Sequence, residues 1–228
     1  IFAQLASFAG FGFNKSHAAS FALITYQTMW LKRYQPLAFF CALLNNQPIG
    51  FYPAEVIVGE ARRQGVVTLP PSVNRSHGRY QLEHGQIRMS LVEVKGLGPE
   101  YIARIEAAQP FESLTDLHVR AGIPRPLIAD LIRAGACDEF GERRALLWSL
   151  GDVRDASAEL PLEAPPSEAE LPALSPMQST LWEYELAGLS TSTQLMAHHR
   201  ADLERQGCVT CARAKTIMAG ARVKIGGM

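Results

Sequence analysis

Cysteine is scarce in this chain and long apolar runs are missing. The four cysteines among 228 residues (Cys41, Cys137, Cys208 and Cys211) are scattered, unlike the framework of a secreted disulfide-rich domain. A reducing compartment, the cytoplasm, is the expectation. No stretch of about 18 residues is apolar and free of charge, which excludes an ordinary membrane-spanning helix and leaves the membrane off the expected partners. A wholly disordered chain is excluded too, because 47% of the residues are apolar. Neither a signal peptide nor a repeat of solenoid period is expected from these residues. An excess of either charge is also absent: 22 Lys and Arg face 22 Asp and Glu. At face value that balance argues against a nucleic-acid partner.

The balance is a sum of unlike blocks. Residues 1–50 contain Lys15, Lys32 and Arg33 and no carboxylate. Residues 51–150 hold twelve basic and twelve acidic side chains. Residues 151–190 carry one Arg against eight Asp and Glu, and residues 191–228 carry six basic against two acidic groups. A mean over such blocks says little about any one surface. The acidic block is also Pro-rich: Ala158–Pro176 has five prolines and four glutamates. Proline removes backbone donors and the charges resist burial, so an exposed linker is expected there. Ile1 opens inside an apolar run, and Ala221–Gly227 reads as an opening strand without a partner. Both ends are expected to be cuts in a longer chain.

Apolar spacing predicts a mainly helical chain with one small sheet. His17–Tyr34 reads as a long buried helix, with Ser16 as its N-cap and Lys32 and Arg33 in a basic last turn. Pro36 ends it, and Leu37–Leu44 and Ala54–Gln64 follow as helices. Tyr80–Glu83 and Ile87–Leu91 read as a β-hairpin across His84-Gly85-Gln86. Helical segments are then expected at Pro99–Ala108, Ser113–Ala121, Arg125–Ala134 and Glu142–Leu150.

Leu91–Ile105 (LVEVKGLGPEYIARI) is the most informative stretch. Gly96 and Gly98 flank Leu97 in a tight turn, and Pro99 suits a first helical position because no donor is needed there. Freed N–H groups at such a turn, beside a helix N-terminus, can hold a phosphate. A helix-hairpin-helix grips a DNA backbone in this way without reading sequence, with Lys95, Gly96, Leu97 and Gly98 as the contact residues. A plain helix–turn–helix packing corner is the competing reading. Leu127–Phe140 with Gly141 reads as a second, degenerate copy, with Gly135 and Gly141 as its turn glycines. Asn14, Lys15, Ser16 and His17 form another candidate group at the start of the long helix, beside Phe11 and Phe13. They would suit a triphosphate or a template phosphate. The competing reading makes Asn14 and Ser16 caps, Lys15 a solvated charge and His17 a satisfied histidine.

These residues lead to a family. FAGFGFNKSHAASFALITYQTMWLKRYQP (8–36) resembles the fingers segment of bacterial DNA polymerase III alpha subunits. The resemblance continues in order through LPPSVNRS, the hairpin, VKGLG, LIRAGACDEFGERRALL and the late GLS, and so covers most of the chain. Leu43–Val66 looks like the error-prone, damage-tolerant branch, whereas FNKSH looks like the replicative branch. The resemblance implies a fingers segment over residues 1–75 and a tandem helix-hairpin-helix domain over 76–150. An acidic linker over 151–180 would follow, then connecting helices and the first strand of an OB domain over 181–228. It implies a parent DNA-directed DNA polymerase acting on primer-template duplex with deoxynucleoside triphosphates and Mg²⁺. Residues 14–17 would then lie close to the nucleotide site. The family's metal-binding palm aspartates match nothing in this sequence, so the chain alone is expected to have no catalytic residue and no metal site, and to be inactive. A non-catalytic helix-hairpin-helix DNA-binding or scaffold module is the alternative reading.

Two weaker signals remain. Cys208-Val-Thr-Cys211 has metal-ligand spacing, with His198 and His199 upstream, but the resemblance offers no zinc there. A sliding clamp is a further partner the resemblance implies, bound through a Gln-Leu-x-Leu-Phe peptide. Glu159–Glu163 and Gln178–Trp182 are imperfect matches, and an acidic solvated linker competes with both.

Overall fold

The first long helix takes its start from a capping side chain. Asn14 has extended backbone, and its Oδ1 accepts from the His17 amide at 3.1 Å. That satisfies one orphan donor and opens α1 (Lys15–Tyr34). The computed structural model describes residues 1–4, 14–152 and 171–227. Gln35 ends that helix, Pro36 starts α2 (Pro36–Asn45) at its first position, and α3 (Ala54–Arg63) follows. Gly65, at φ +80, closes α3 in the left-handed region.

The expected burial of α1 is not found: none of its residues is buried, and Phe21, Ile24 and Met29 are each more than half exposed. Its apolar residues ring the cylinder instead of forming one stripe. A 20-residue helix also outruns the ten-residue α2 that it meets. The N-cap likewise moves from the expected Ser16 to Asn14.

The sheet forms where expected, with one addition. Strands β2 (Gln81–Glu83) and β3 (Gln86–Arg88) pair antiparallel, Leu82 opposite Ile87. His84 and Gly85 between them both have positive φ, 48° and 79°. Two left-handed residues give a turn whose twist matches the strands it joins. The second strand stops at Arg88, short of the expected Leu91. Strand β1 (Thr68–Leu69) pairs parallel with β3 and gives the order β1-β3-β2. Two residues are too few to show an alternating pattern, so β1 was not visible in the sequence.

Arg88 is buried in this sheet. Its Nε and Nη2 donate to Glu83 at 2.6 and 3.0 Å, and Nη1 donates to the Pro70 carbonyl at 2.7 Å. The hydrogen bond from Arg88, with help from Arg75, holds the Glu83 carboxyl down at about 2. A depressed carboxylate stabilises the fold above its unfolded value, and that contribution is lost as the group protonates. Stability should therefore decline as pH falls from about 4.5 towards about 2. Urea titrations at several pH values check this: Glu83→Gln should remove that part of the acid limb, and an unchanged limb would refute the assignment.

Helices α4 (Pro99–Ala108), α5 (Leu114–Ala121), α6 (Arg125–Arg133) and α7 (Arg143–Ser149) follow, close to the expected bounds. Past the acidic segment come α8 (Pro176–Ala187), α9 (Leu195–Arg205) and the four-residue α10 (Cys211–Ala214). No strand forms over residues 221–227, where the Val209 amide donates to the Lys224 carbonyl at 2.8 Å; an isolated segment has no ladder to complete.

Buried apolar side chains fall into two clusters. One gathers α4 to α7 around Ile105, Leu117, Ile128 and Leu131. The other joins α2 and α3 to the sheet through Phe40, Ile57, Ile87 and Met89. Helix α8 and the residues after it enter both: Leu186 joins the first, Ala187 and Leu189 the second.

Candidate nucleic-acid interface

The turn before α4 is built on one left-handed residue and one buried side chain. Gly96 has φ +82, where a Cβ would be strained whatever the space. Leu97 is buried and anchors the turn in the core of the four helices. Gly98 is extended (φ −67°, ψ 160°) and caps α4 without a side chain, and Pro99 occupies its first position. The Leu97 amide donates to the Val94 carbonyl at 3.2 Å, and the amides of Tyr101 and Ile102 both donate to Gly98. The amides of Gly96, Gly98 and Glu100 have no acceptor among the described residues. Gly96 and Glu100 are exposed and Gly98 half-buried, so the three donors lie on an open turn at a helix N-terminus. Lys95 and Glu100 offset one another in charge there. What the turn offers an anion is therefore its backbone donors.

Lys95 is held from behind. Its amide donates to the Leu186 carbonyl at 2.8 Å, and its ammonium donates to the Glu185 carbonyl. The C-terminal carbonyls of α8 thus fix both ends of this lysine.

A second turn of the same construction lies 26 residues further on, between α5 and α6. Gly96-Leu97-Gly98-Pro99, then Ile102-Ala103 and Ile105, are matched by Gly122-Ile123-Pro124-Arg125, then Ile128-Ala129 and Leu131. Gly122 has φ +63, Ile123 is fully buried, and Pro124 has φ −61° and ψ 144°. This corrects the copy expected over Leu127–Gly141. Gly135 is indeed left-handed, at φ +85, but it is buried, and the Arg143 guanidinium lies where a Cβ on it would stand. Gly141 is exposed, yet the Glu142 carboxylate already accepts from the Arg144 and Ala145 amides at the start of α7. Asp138 and Glu139 stand alongside, and Asp138 is paired with Arg143.

The second turn has fewer donors than the first. Pro124 and Pro126 have no N–H, so the position matching Gly98 contributes nothing. Basic side chains stand near it instead. Arg104 comes from α4 to the Gly122 turn and lies over the Tyr101 ring at 5.4 Å, while Arg125 Nη2 donates to the Gly151 carbonyl at 3.2 Å. Gly122, Arg104 and Arg125 were missed as site residues. The matched spacing of Ile-Ala after each turn points to Gly122 and Arg125, whereas Arg104 reaches the turn only through the fold.

Asn14, Lys15, Ser16 and His17 come together at the N-terminus of α1, all exposed, with the His17 ring edge-on to Phe21 at 4.5 Å. Phe11 and Phe13 lie outside the described residues. His198 Nε2 is 3.0 Å from the Thr180 hydroxyl, and among the described residues no group of three His, Cys, Asp or Glu is placed to hold a metal ion. Cys41 and Cys137 are buried, and burial pushes both thiols up, away from reactive thiolate. Glu159–Glu163 lies outside the described residues. Gln178–Trp182 is the middle of α8, with Trp182 beneath the Arg133 guanidinium at 5.8 Å, a helical setting and not an extended peptide. No described helix is long and apolar enough to cross a membrane.

Comparison with known proteins agrees with this geometry. The family model described as a helix-hairpin-helix motif matches residues 65–147. The chain is 38% identical to the error-prone DNA polymerase of Dechloromonas aromatica (strain RCB), covering 96% of the chain and 22% of that protein. It is 37% identical to the error-prone DNA polymerase of Corynebacterium efficiens, covering 99% of the chain and 21% of the relative. For that of Teredinibacter turnerae the identity is 33%, over 100% of the chain and 23% of the relative. The chain spans about a fifth of the length of the curated relatives it matches.

Proposed function

We propose that this chain, a homologue of one stretch of error-prone DNA polymerases, holds duplex DNA by its phosphate backbone. The Lys95–Gly98 turn is the principal contact and the Gly122–Arg125 turn the lesser one. The observation that carries this reading is the open turn at Gly96–Glu100, with its three unpaired amides, inside the segment that matches the helix-hairpin-helix model. Backbone amides hold phosphate without reading bases, so the contact positions a duplex and carries no sequence preference. The whole protein, in this reading, catalyses template-directed, error-prone DNA synthesis from deoxynucleoside triphosphates with Mg²⁺. Among the described residues no group of three or more His, Cys, Asp or Glu stands together to hold that ion. The chain's own share is binding and support, with residues 14–17 as the group nearest the nucleotide. A cytoplasmic location and a sliding clamp as partner belong to the same reading of the whole protein.

Fluorescence anisotropy with a short labelled duplex tests the contact. With one phosphate neutralised beside Lys95 and one beside Arg125, log K should fall against log salt with a slope of about −1.8, roughly a tenfold loss between 50 and 200 mM. Gly98→Pro is the sharpest variant. The φ of Gly98 already suits proline and its amide has no protein partner, so the change removes one donor and keeps the fold. The second turn already carries proline at the matching place, Pro124. Affinity should fall by about tenfold, as for a lost hydrogen bond to a charged group. Unchanged affinity in Gly98→Pro and in Lys95→Ala would reject the turn as the contact.

A further inference from the structure

The segment from Glu183 to Thr191 touches both cores and the first turn of the proposed DNA contact. Its backbone receives Lys95: the Leu186 carbonyl accepts from the Lys95 amide at 2.8 Å and the Glu185 carbonyl from its ammonium. The Glu183 carboxylate accepts from Arg143 at 2.9 Å, which ties α8 to the end of α6 and the start of α7. The Tyr184 hydroxyl donates to Glu55 on α3 at 2.7 Å. Arg62, also on α3, donates through Nη2 to the carbonyls of Ser190 at 3.2 Å and Thr191 at 2.9 Å. Side chains alternate between the two cores, Leu186 into one and Ala187 and Leu189 into the other. Gly188, left-handed at φ +69, turns the chain between them.

We propose that residues 183–191 are a strap that sets the first turn against α3, so that Tyr184 and Arg62 are positioning residues for duplex binding although neither touches DNA. Lys95 is the point of transmission. Its amide and ammonium are bonded to two successive carbonyls at the end of α8, and a shift of that end against α3 breaks the Tyr184–Glu55 bond and the bonds from Arg62. The stretch from Met89 to Leu91 is a second joint between the cores, with Met89 in one and Leu91 in the other. Releasing the strap should therefore loosen the turn and leave both cores folded. The link to DNA rests on the function proposed above, whereas the holding of Lys95 does not.

The test uses the full 228-residue chain carrying Tyr184→Phe with Arg62→Gln, in two measurements. Without DNA, amide hydrogen exchange should be about tenfold faster at Lys95, as for the loss of one or two hydrogen bonds, and unchanged at Ile105 in the core. Unchanged exchange at Lys95 would overturn the strap. So would equal acceleration at Ile105, which would mean a general loss of stability. With a short duplex, affinity should fall severalfold with no change in salt slope, since no phosphate contact is removed. A smaller slope would mean that Arg62 itself meets phosphate and would also overturn the proposal. Arg62→Lys, still able to donate to one carbonyl, should restore most of the protection. If the unaltered chain shows no salt-dependent duplex binding, the proposed function fails, and the exchange result still decides the strap.

Discussion

Replacing Leu131 with alanine should lower the unfolding free energy by about 2–5 kcal/mol. Leu131 is fully buried on α6, in the place that Ile105 occupies on α4, and both enter the same cluster with Leu117 and Ile128. Truncation removes the transfer free energy of the lost carbons and leaves a cavity. The site has little freedom to collapse. Ile123 pins the start of α6, and the carbonyls of Leu131 and Ile132 accept from the amides of Ala136 and Gly135 at its end. Urea denaturation followed by circular dichroism measures the change: the midpoint should fall with the slope unchanged. Phe21→Ala on α1, where the ring is 55% exposed, is the contrast and should shift stability by no more than about 0.5 kcal/mol. A loss at Leu131 no larger than that at Phe21 would contradict the packing of the paired turns.

The two turns show how far the sequence could be read. VKGLGPEYIARI announced itself because G-h-G followed by Pro names both a left-handed residue and a helix start. AGIPRPLIADLI makes the same turn with Pro124 where the first has Gly98. The φ of both residues lies near −65°, a value glycine adopts and proline enforces, so two chemically unlike residues answer one backbone need. Paired glycines are therefore the wrong signature for the second turn: Gly122 has no glycine two residues on, and Gly135 and Gly141 are left-handed for other reasons. Helices α4 to α7 were legible almost to their ends, because Pro99, Ser113 and Glu142 mark starts with a mechanism.

What could not be read was the surroundings of each element. Helix α1 has the apolar content of a buried helix, and apolar content does not say whether a partner covers it. The strap was no more visible. Its bonds from Lys95 and Arg62 end on backbone carbonyls, and carbonyls carry no residue identity. The charge balance met the same limit in a useful direction, since a contact made by backbone amides needs no excess of Lys and Arg.

Arg143→Ala should cost about 3–5 kcal/mol, because it would leave a buried carboxylate without its partner. The guanidinium is 11% exposed and makes four bonds: two to Asp138 at 2.8 and 2.9 Å, one to Glu183 at 2.9 Å, and one to the Arg133 carbonyl at 3.2 Å. Glu183 is 10% exposed on its side chain, its second oxygen has no partner among the described residues, and Arg143 lies 2.9 Å from its first. The same guanidinium covers Gly135, which is why that turn packs inward and offers nothing to phosphate. Lysine should not rescue it, because an ammonium on a longer stem cannot serve Asp138, Glu183 and a carbonyl in one plane. Pairing Arg143→Met with Glu183→Met should recover most of the loss, since removing both charges also removes their desolvation cost. Denaturation of the two single variants and the double variant forms a cycle that isolates the pair. Additive losses would mean that Arg143 acts through Asp138 and the Arg133 carbonyl alone. A double variant close to the unaltered chain would place the cost in the stranded carboxylate.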